Sequence, residues 1–292
     1  MGRPDFRLRR GIEISPWPWM KLRMARAFGE QLQTEIDLWN LEFPATAFGS
    51  IEDDSRRIVF RLNEAPSPPL IQWSALVGQL VGSLRVALDS FMWQAAHLDG
   101  NEPKNPRRVY FPLFDKGKQG SWRSWRENIG NIPGALEQRL YSLQGFVGSE
   151  LGDDLRIIQR MNNHDKHREA LHLGLDAETL SMHGVGFELC DYVDGVDSSF
   201  SAQPFPDGIV RLESGATVAA VASERGFKEV DGQVTVGVAP EINIAADGDE
   251  PNLQPVGLVL PRLHAAARHA IDTLCASDGS QIQNPFQEEE HD

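Results

Sequence analysis

Apolar residues recur every three or four positions over four long stretches of the chain, which is the spacing of a helix with one buried face. These stretches are 19–42, 71–98, 151–168 and 254–275. The second predicts a central helix, because apolar side chains cover most of its circumference and leave only a narrow polar strip. Shorter helices are predicted near 121–129 and 133–144.

Elsewhere apolar residues recur at every second position instead of every 3.6 residues, and this alternation is typical of strands with one buried face. The runs 46–52 and 57–62 flank a polar turn and predict an N-terminal β-hairpin. Runs near 181–190, 209–222 and 233–245 are separated by Asp, Gly and Ser turns and predict an antiparallel sheet. The predicted fold class is therefore α+β. It has a helical core, made of the long central helix and the Asp-Lys-His-Arg helix, with an N-terminal β-hairpin and a C-terminal antiparallel sheet.

The elements predict one domain over residues 1–276 and a disordered acidic tail over 277–292. The domain is divided into a helical core at about 70–170, a β-rich region at about 171–250 and a closing helix at about 254–275.

Composition narrows the classes of function. The 292 residues carry a net charge of −14, which disfavours an exposed, non-specific grip on nucleic acid or on an anionic membrane. The two cysteines, Cys190 and Cys275, lie in no motif and fit a reducing compartment. There is no signal-peptide pattern and no run of about 18 apolar residues, so we expect a cytoplasmic protein that does not enter a membrane.

Arg85 and Asp89 lie four residues apart on the central helix and therefore share one side of it. Small residues on that side, including Gly78 and Gly82, allow another helix to approach closely. A buried ion pair needs further partners, because desolvation costs several kcal/mol per ion. We interpret the pair as structural and keep a catalytic role as the alternative.

The segment 160–168 contains two histidines, one aspartate, one lysine and two arginines. Helical spacing divides them between two faces. Asn162 and Asp165 continue an apolar stripe and should face the helical core, where Arg85, Asp89 and Arg168 are their predicted partners in a structural network. The second face carries Arg160, His164 and His167.

This second face holds the candidate catalytic residues. A histidine can act as a general acid or base, while an arginine stabilises the charge that develops on a phosphate. Arg160 and His167 match the R-x(4–6)-H pattern of HEPN-type ribonucleases. Roughly two matches are expected by chance in this chain, and the second is Arg262 with His269.

Metal chemistry is an alternative, because His164 and Asp165 form an HD dipeptide and His164 and His167 are three residues apart. An HD-type phosphohydrolase needs a further histidine and aspartate, for which only His97 and Asp176 can be nominated. Asp165 is also predicted to face away from the histidines. No metal site is therefore predicted. No Walker A loop or dinucleotide fingerprint is present, and no cofactor is predicted.

Two helical motifs resemble those of a widespread family of bacterial, mainly actinobacterial, proteins. The motifs are Leu84-Arg-Val-Ala-Leu-Asp-Ser-Phe-Met-Trp93 and Asn163-His-Asp-Lys-His-Arg168, with an F-P-L loop at Phe111-Pro-Leu113 between them. The resemblance covers roughly residues 20–275 and implies the helix, loop, helix and β-rich order predicted above. The family has no established activity to carry over, and its link to HEPN proteins is an analogy of helical layout.

The chain departs from the family pattern at three positions. Gly82 and Ser83 stand where the family has His-Asn, and Ser90 stands where a histidine often follows the aspartate. A reaction that depended on those histidines would be absent here. The retained positions are those that a network between two helices requires, namely Arg85, Asp89, Asp165, Lys166, His167 and Arg168.

Three functions follow as hypotheses. The first is a non-enzymatic binding or scaffold protein with a buried Arg/Asp/His network. The second is a HEPN-like ribonuclease of a defence or toxin system, which would use Arg160 and His167, and the third is an HD-like metal-dependent phosphohydrolase. Whether the chain is an enzyme stays open, as do its partners, among which we weigh a homodimer and RNA, the latter disfavoured by the net charge.

Overall fold

The computed structural model of the chain describes residues 15–52, 55–114, 119–130, 132–167, 171–182, 184–191, 199–204, 212–246 and 249–276. Within these ranges it contains six α-helices and nine β-strands, and every strand pairing is antiparallel. The predicted α+β class is confirmed. The predicted acidic tail, 277–292, lies outside the described residues.

The helices occur where the 3.6-residue period predicted them. They are α1 (Trp17–Glu42), α2 (Leu70–Ala96), α3 (Gln119–Ile129), α4 (Gly134–Ser142), α5 (Glu150–His167) and α6 (Val256–Cys275). Prolines precede the first residue of α1, α2, α4 and α6, where a missing N–H costs little. Glu150 and Asp153 lie in the first turn of α5, where negative charge is favourable.

The strands are β1 (Ala45–Glu52), β2 (Arg57–Leu62), β3 (Leu173–Ser181), β4 (Gly186–Leu189), β5 (Phe200–Pro204), β6 (Thr217–Ser223), β7 (Phe227–Asp231), β8 (Gln233–Asn243) and β9 (Leu253–Pro255). Seven of them form one sheet in the order β3-β8-β1-β2-β6-β5, with β9 also paired to β8. Strands β4 and β7 form a separate pair.

The N-terminal hairpin is not a separate layer. Strands β1 and β2 occupy the middle of the large sheet, with β8 beside β1 and β6 beside β2. Burial explains this position, since the consecutive residues Ile58, Val59 and Phe60 of β2 are all 2% exposed or less. A strand that is buried on both faces must be covered on both sides.

Helix α2 is the centre of the helical part, in contact with α1, α5 and α6. By length and composition alone α2 could cross a membrane, but 67% of its apolar window is buried inside the protein. A core helix meets the same criteria, and the packing of α2 is that of a core helix.

The apolar interior has two clusters. One joins the helices with the end of β8, and the other fills the sheet region between β1, β2, β6, β7 and β8. Trp39 of α1 and Leu175 of β3 contact both clusters. Helix α5 lies against α2 and α6, and its last turns reach the end of β8, where the sheet meets the helices.

Candidate functional site

The Arg85–Asp89 ion pair lies where α2, α5 and the Phe111 loop meet. Arg85 Nε and Nη2 donate to the two carboxylate oxygens of Asp89, over 3.1 and 2.7 Å. Nη2 also donates to the Phe111 carbonyl at 3.0 Å, while the Phe111 N–H donates to Asp89 Oδ1 at 2.8 Å. The Arg85 side chain is 8% exposed and the Asp89 side chain 37%. The pair therefore binds the loop backbone through both its donor and its acceptor.

The partner of this pair on α5 is Gln159, whose Oε1 accepts from Arg85 Nη1 at 3.3 Å. Among the described residues, neither Asn162 nor Asp165 hydrogen-bonds to the pair, in contrast to the expected network. The reason is that α2 and α5 run antiparallel. Asp165 consequently lies opposite Gly78, where an added Cβ would be 2.6 Å from its Oδ1, and not opposite Arg85.

The other members of the expected network differ in burial. Asn162 is 5% exposed, whereas Asp165 is exposed at the edge of the interface. Arg168 and the side chain of Lys166 lie outside the described residues. Among the described residues Arg85 and Asp89 bond to Gln159 and to the Phe111 backbone, and the side chain of His167 lies outside them, so the histidine of the expected network stays a prediction.

The Phe111 loop has a second polar anchor in Gln144, which is fully buried. Gln144 Nε2 donates to the carbonyls of Pro112 and Leu140, both at 2.9 Å, and its Oε1 accepts from the Phe114 N–H at 3.1 Å. The loop is thus fixed to α2 by the ion pair and to the end of α4 by one amide. We call these contacts together the loop clamp, meaning Arg85, Asp89, Gln144 and Gln159.

The second face of α5 lines an open cleft of about 320 Å³ between α5, the start of β3 and the end of β8. Its polar side chains include Arg160, His164, His172, Asn243 and Asp249. Arg160 Nη2 donates to the Ile244 carbonyl at 2.9 Å, which holds the guanidinium against the end of β8. We call this site the α5 cleft.

The two described histidines of the α5 cleft lie close together, with ring centroids 6.4 Å apart. His172 is exposed, whereas His164 is half-buried. His164 Nδ1 has no accessible surface and no hydrogen-bond partner among the described residues. Buried polar atoms usually have such a partner, so this nitrogen is an exception among the described residues.

The apolar lining of the α5 cleft is part of the helical core. Ile157, Met161, Leu171, Ile242 and Ile244 are all 8% exposed or less. The buried hydroxyl of Ser74 on α2 donates to the Leu171 carbonyl, which links Leu171, two residues before β3, to α2.

The loop at the rim of the cleft is held by one side chain. Asn243 Oδ1 accepts from the backbone N–H groups of Ala245 and Asn252, each at 3.0 Å. These bonds join the end of β8 to the residue just before β9.

Sequence reasoning placed Arg160 and His164 on one face of α5, and both line the α5 cleft. The side chain of His167 lies outside the described residues, so its predicted role with Arg160 stays a prediction. His172 was missed as a site residue. It lies after the end of α5, where the alternating apolar pattern predicted only a strand and gave no sign that the side chain lies near His164. Gln159 could have been found, since it projects about 40° from Leu155 on a helical wheel.

Within the described ranges, no group of three or more His, Cys, Asp or Glu side chains is placed to hold a metal ion. His97 is engaged elsewhere, where its Nδ1 lies 2.7 Å from the Trp93 carbonyl. The side chains of His167 and Asp176 lie outside the described residues, so the HD-like arrangement stays a prediction.

Neither cysteine enters the site. Both thiols are free, with Cys190 half-buried and Cys275 buried. Burial raises the pKa of Cys275 to about 12, which keeps the thiol protonated and unreactive at neutral pH.

Comparison with known proteins gives no relative for this site. No family model matches the chain, no curated protein matches it, and no solved structure matches it.

Proposed function

We propose that the protein is a non-enzymatic binding protein, and that its ligand is a small phosphate ester held in the α5 cleft. The observation that carries the proposal is that Arg160, His164 and His172 line one open cleft of about 320 Å³. Pockets of roughly 300–1,000 Å³ are typical of small-molecule sites. An arginine presents a planar fork of donors that matches phosphate oxygens.

The guanidinium of Arg160 supports an anionic ligand. The cleft contains this guanidinium and one carboxylate, that of Asp249, on a molecule whose total charge is −14, so Arg160 is the charged group in it that can bind an anion. Arg160 uses one described hydrogen bond, to Ile244, and a guanidinium has five N–H donors in all. The carboxylate of Asp249 at the rim accepts hydrogen bonds, which favours a ligand that has hydroxyl groups beside its phosphate.

The packing of the cleft lining supports binding by a preformed site. The apolar lining of the cleft is buried in the core, and the Asn243 side chain bonds to the backbone of Ala245 and Asn252. A preformed site avoids the entropic cost of ordering loops and side chains when the ligand binds. We therefore expect the cleft to bind without a large conformational change.

The experiment is calorimetric titration of the full chain with adenosine 5′-monophosphate, inorganic phosphate and adenosine. Adenosine 5′-monophosphate should bind at one site, and adenosine should bind at least about tenfold more weakly, since the charge-assisted hydrogen bonds are lost. The Arg160→Gln and His172→Gln variants should both weaken binding of the phosphate ester. Equal affinity for adenosine and its monophosphate would contradict the proposal.

Arg123 provides a matched control, because it is an exposed arginine on α3 outside the cleft. Arg123→Gln removes one positive charge from the surface and should leave the affinity unchanged. If Arg123→Gln and Arg160→Gln weaken binding equally, the effect would be a general one of net charge and the cleft would not be the site.

A second candidate function is metal-independent cleavage of RNA. The observation in its favour is that two imidazoles 6.4 Å apart share an open cleft with Arg160. One imidazole could remove the proton of the 2′-hydroxyl and the other could protonate the leaving 5′-oxygen, while the guanidinium stabilises the charged phosphorane. His172 would then supply one of the two proton-transfer groups, beside or in place of His167.

This candidate is tested by degradation of single-stranded RNA in the presence of a chelator. Cleavage by the wild-type chain should fall at least about a hundredfold in both His164→Ala and His172→Ala, because general acid–base catalysis contributes factors of that size. His167→Ala, in the same assay, tests the pairing with Arg160. Absence of cleavage by the wild-type chain, or equal cleavage by all variants, would remove the nuclease candidate and leave the binding function.

A further inference from the structure

Helix α1 has apolar side chains on two opposite faces. The inner face packs against α2 and α6, and its apolar residues are all 5% exposed or less. These are Leu22, Ala25, Leu32 and Ile36. The outer face is also rich in apolar residues, although it faces solvent, and Leu38 and Leu41 are 58% and 80% exposed. The inner face alone is enough to hold a surface helix on the core, so it does not account for the outer one.

The residues of the outer face follow a regular seven-residue repeat. From Trp17 to Leu41, exposed positions recur at alternating spacings of three and four, which is the a and d pattern of a coiled coil. Of these eight positions six are apolar, and Gln31 and Thr34 fill the other two. The apolar members are Trp17, Met20, Met24, Ala27, Leu38 and Leu41. We call the eight positions the outer stripe, which is roughly 36 Å long at 1.5 Å per residue.

The charges of α1 are divided between its two halves. Residues 17–27 contain three basic and no acidic residues, whereas residues 28–42 contain four acidic and no basic residues. This order is the reverse of the one that the helix dipole favours, because anions are favourable near the N-terminal end and cations near the C-terminal end. The stability of α1 by itself therefore does not account for the division. Two α1 helices that run antiparallel would place the basic half of each beside the acidic half of the other.

We propose that the outer stripe is the contact surface of a symmetric homodimer, in which α1 packs antiparallel against α1 of a second copy of the chain. A two-fold axis perpendicular to the helix produces this direction, because the same surface then meets itself. The occupant of the outer stripe is thus a second copy and not an unrelated protein. The proposal concerns a surface separate from the α5 cleft and does not depend on binding of a phosphate ester.

The apolar residues fit this arrangement when residue 29 of each copy lies level with the axis. Trp17 is then opposite the partner's Leu41, and Met20 is opposite the partner's Leu38. Ala27 is opposite the partner's Gln31, so a small side chain faces a longer one in the middle of the contact. Large apolar side chains therefore meet at both ends of the pair, which is where they lie on the outer stripe.

The positions that flank the outer stripe fit the same arrangement. Such positions form ion pairs between helices and determine their direction. In the antiparallel pair Lys21 lies beside the partner's Glu35, and Arg23 lies beside the partner's Asp37. A parallel pair would instead bring Glu30 beside the partner's Glu35, and like charges disfavour that contact.

The total charge of α1 also allows two copies to approach. The whole chain carries −14, but α1 carries −1, since it has three basic and four acidic residues. At the middle of the pair, Glu30 lies near the partner's Glu30, and each is paired with Arg26 of its own helix at 2.8 Å. Contact through α1 therefore adds little to the repulsion between two negative molecules.

The experiment is analytical ultracentrifugation of the full chain from about 1 µM to about 1 mM. One pair of helices buries less than about 1,200 Å², and interfaces of that size are weak, so this range of concentration is needed. The wild-type chain should change from monomer to dimer as its concentration rises. Leu38→Glu should raise the dissociation constant of the dimer at least about tenfold, because each dimer would bury two unpaired carboxylates.

Leu258→Glu is the matched control for Leu38→Glu. Leu258 is 70% exposed on α6, so the substitution adds the same charge to an exposed apolar position outside α1. It should leave the dissociation constant of the dimer unchanged. Both positions are exposed, and thermal unfolding at about 1 µM should show the same stability for the two variants and the wild type to within about 0.5 kcal/mol.

The direction of the helices is tested by exchange of one charge pair. Lys21→Glu and Glu35→Lys should each weaken the dimer, because each places like charges together at two points of the contact. The double variant restores the pairs in reverse and should dimerise more tightly than either single variant. In a parallel pair, residues 21 and 35 of the two copies lie roughly 21 Å apart, and the second substitution would not compensate the first.

Three results would overturn the proposal. The first is a wild-type chain that stays monomeric over the whole range of concentration. The second is an equal loss of dimer in Leu258→Glu and Leu38→Glu, which would make the effect one of net charge. The third is a double variant that dimerises no better than the single variants, because the antiparallel pairing requires compensation.

Discussion

Gln159 and Arg160 are neighbours on α5, but their side chains belong to different regions of the molecule. Gln159 faces α2 and accepts from Arg85, which is also bonded to Asp89 and to the Phe111 carbonyl. Arg160 faces the α5 cleft and makes one described hydrogen bond, to Ile244. On the same side, His164 Nδ1 is buried without a partner among the described residues.

This difference separates polar groups that hold the fold from polar groups to which the proposed function assigns a ligand. Desolvated groups that serve the fold need partners inside the protein, because an unpaired buried group costs about 1–3 kcal/mol. The loop clamp meets this requirement with four side chains and the backbone of one loop. The α5 cleft holds a similar concentration of polar groups, but among the described residues Arg160 makes one hydrogen bond and His164 Nδ1 makes none. Substitutions should therefore change stability at the clamp and binding at the cleft.

The largest effect on stability is expected at Arg85. Arg85→Ala removes both bonds to Asp89 and the bond to the Phe111 carbonyl, and it leaves a partly buried carboxylate without its counter-charge. We expect the free energy of unfolding to fall by about 3 kcal/mol, measured by urea denaturation. Arg123→Ala, at an exposed position, should change it by less than about 0.5 kcal/mol. A loss below about 1 kcal/mol at Arg85 would mean that the pair is not part of a clamp.

Gln144→Leu should give the next largest effect. The substitution keeps the volume of the side chain but leaves the carbonyl of Pro112 and the N–H of Phe114 without their buried partner. At about 1 kcal/mol for each lost bond, the free energy of unfolding should fall by about 2–3 kcal/mol. If the variant and the wild type unfolded at the same urea concentration, the Phe111 loop would not depend on Gln144, and the role of Gln144 as an anchor would be contradicted.

At the cleft, Arg160→Ala should have a smaller effect on stability. It removes the one described bond to the Ile244 carbonyl, so the free energy of unfolding should fall by about 1 kcal/mol or less. The same variant should lose most of its affinity for adenosine 5′-monophosphate. A stability loss as large as that of Arg85→Ala would remove the distinction between the two regions.

The helices and strands could be predicted because the spacing of apolar residues along the sequence indicates which face of each element is buried. The helices around 19–42, 71–98 and 254–275 and the 46–52 and 57–62 hairpin all appear at nearly the predicted places. The position of the hairpin in the centre of the sheet could not be predicted. It depends on the pairing of β1 with β8 and of β2 with β6, which joins residues far apart in the chain.

The site was predictable only as far as α5 itself extends. A helical projection placed Arg160 and His164 together, but it could not supply His172 or the end of β8, which join them through tertiary packing. The projection also predicted that Asn162 faces the core, but it could not predict which residues of α2 lie opposite Asn162. The position of a residue along the neighbouring helix depends on the relative axial shift of the two antiparallel helices. In this structure the shift places Gln159, and not Asp165, next to Arg85.

The smallest effect is expected at Gly78, which lies about two turns before Arg85 on α2. An added Cβ would lie 2.6 Å from Asp165 Oδ1, but Asp165 is exposed and its carboxylate is the far end of a mobile rotamer, so the side chain can turn aside. Alanine also favours a helix by about 1 kcal/mol over glycine, which offsets the displacement. Gly78→Ala should therefore change the free energy of unfolding by no more than about 1 kcal/mol in either direction. Gly152→Ala is the matched comparison, because its Cβ would lie 2.9 Å from the rigid Leu143 carbonyl and should destabilise the chain. A clear loss at Gly78 in urea denaturation would instead place Asp165 in a fixed structural role and extend the loop clamp to the last turn of α5.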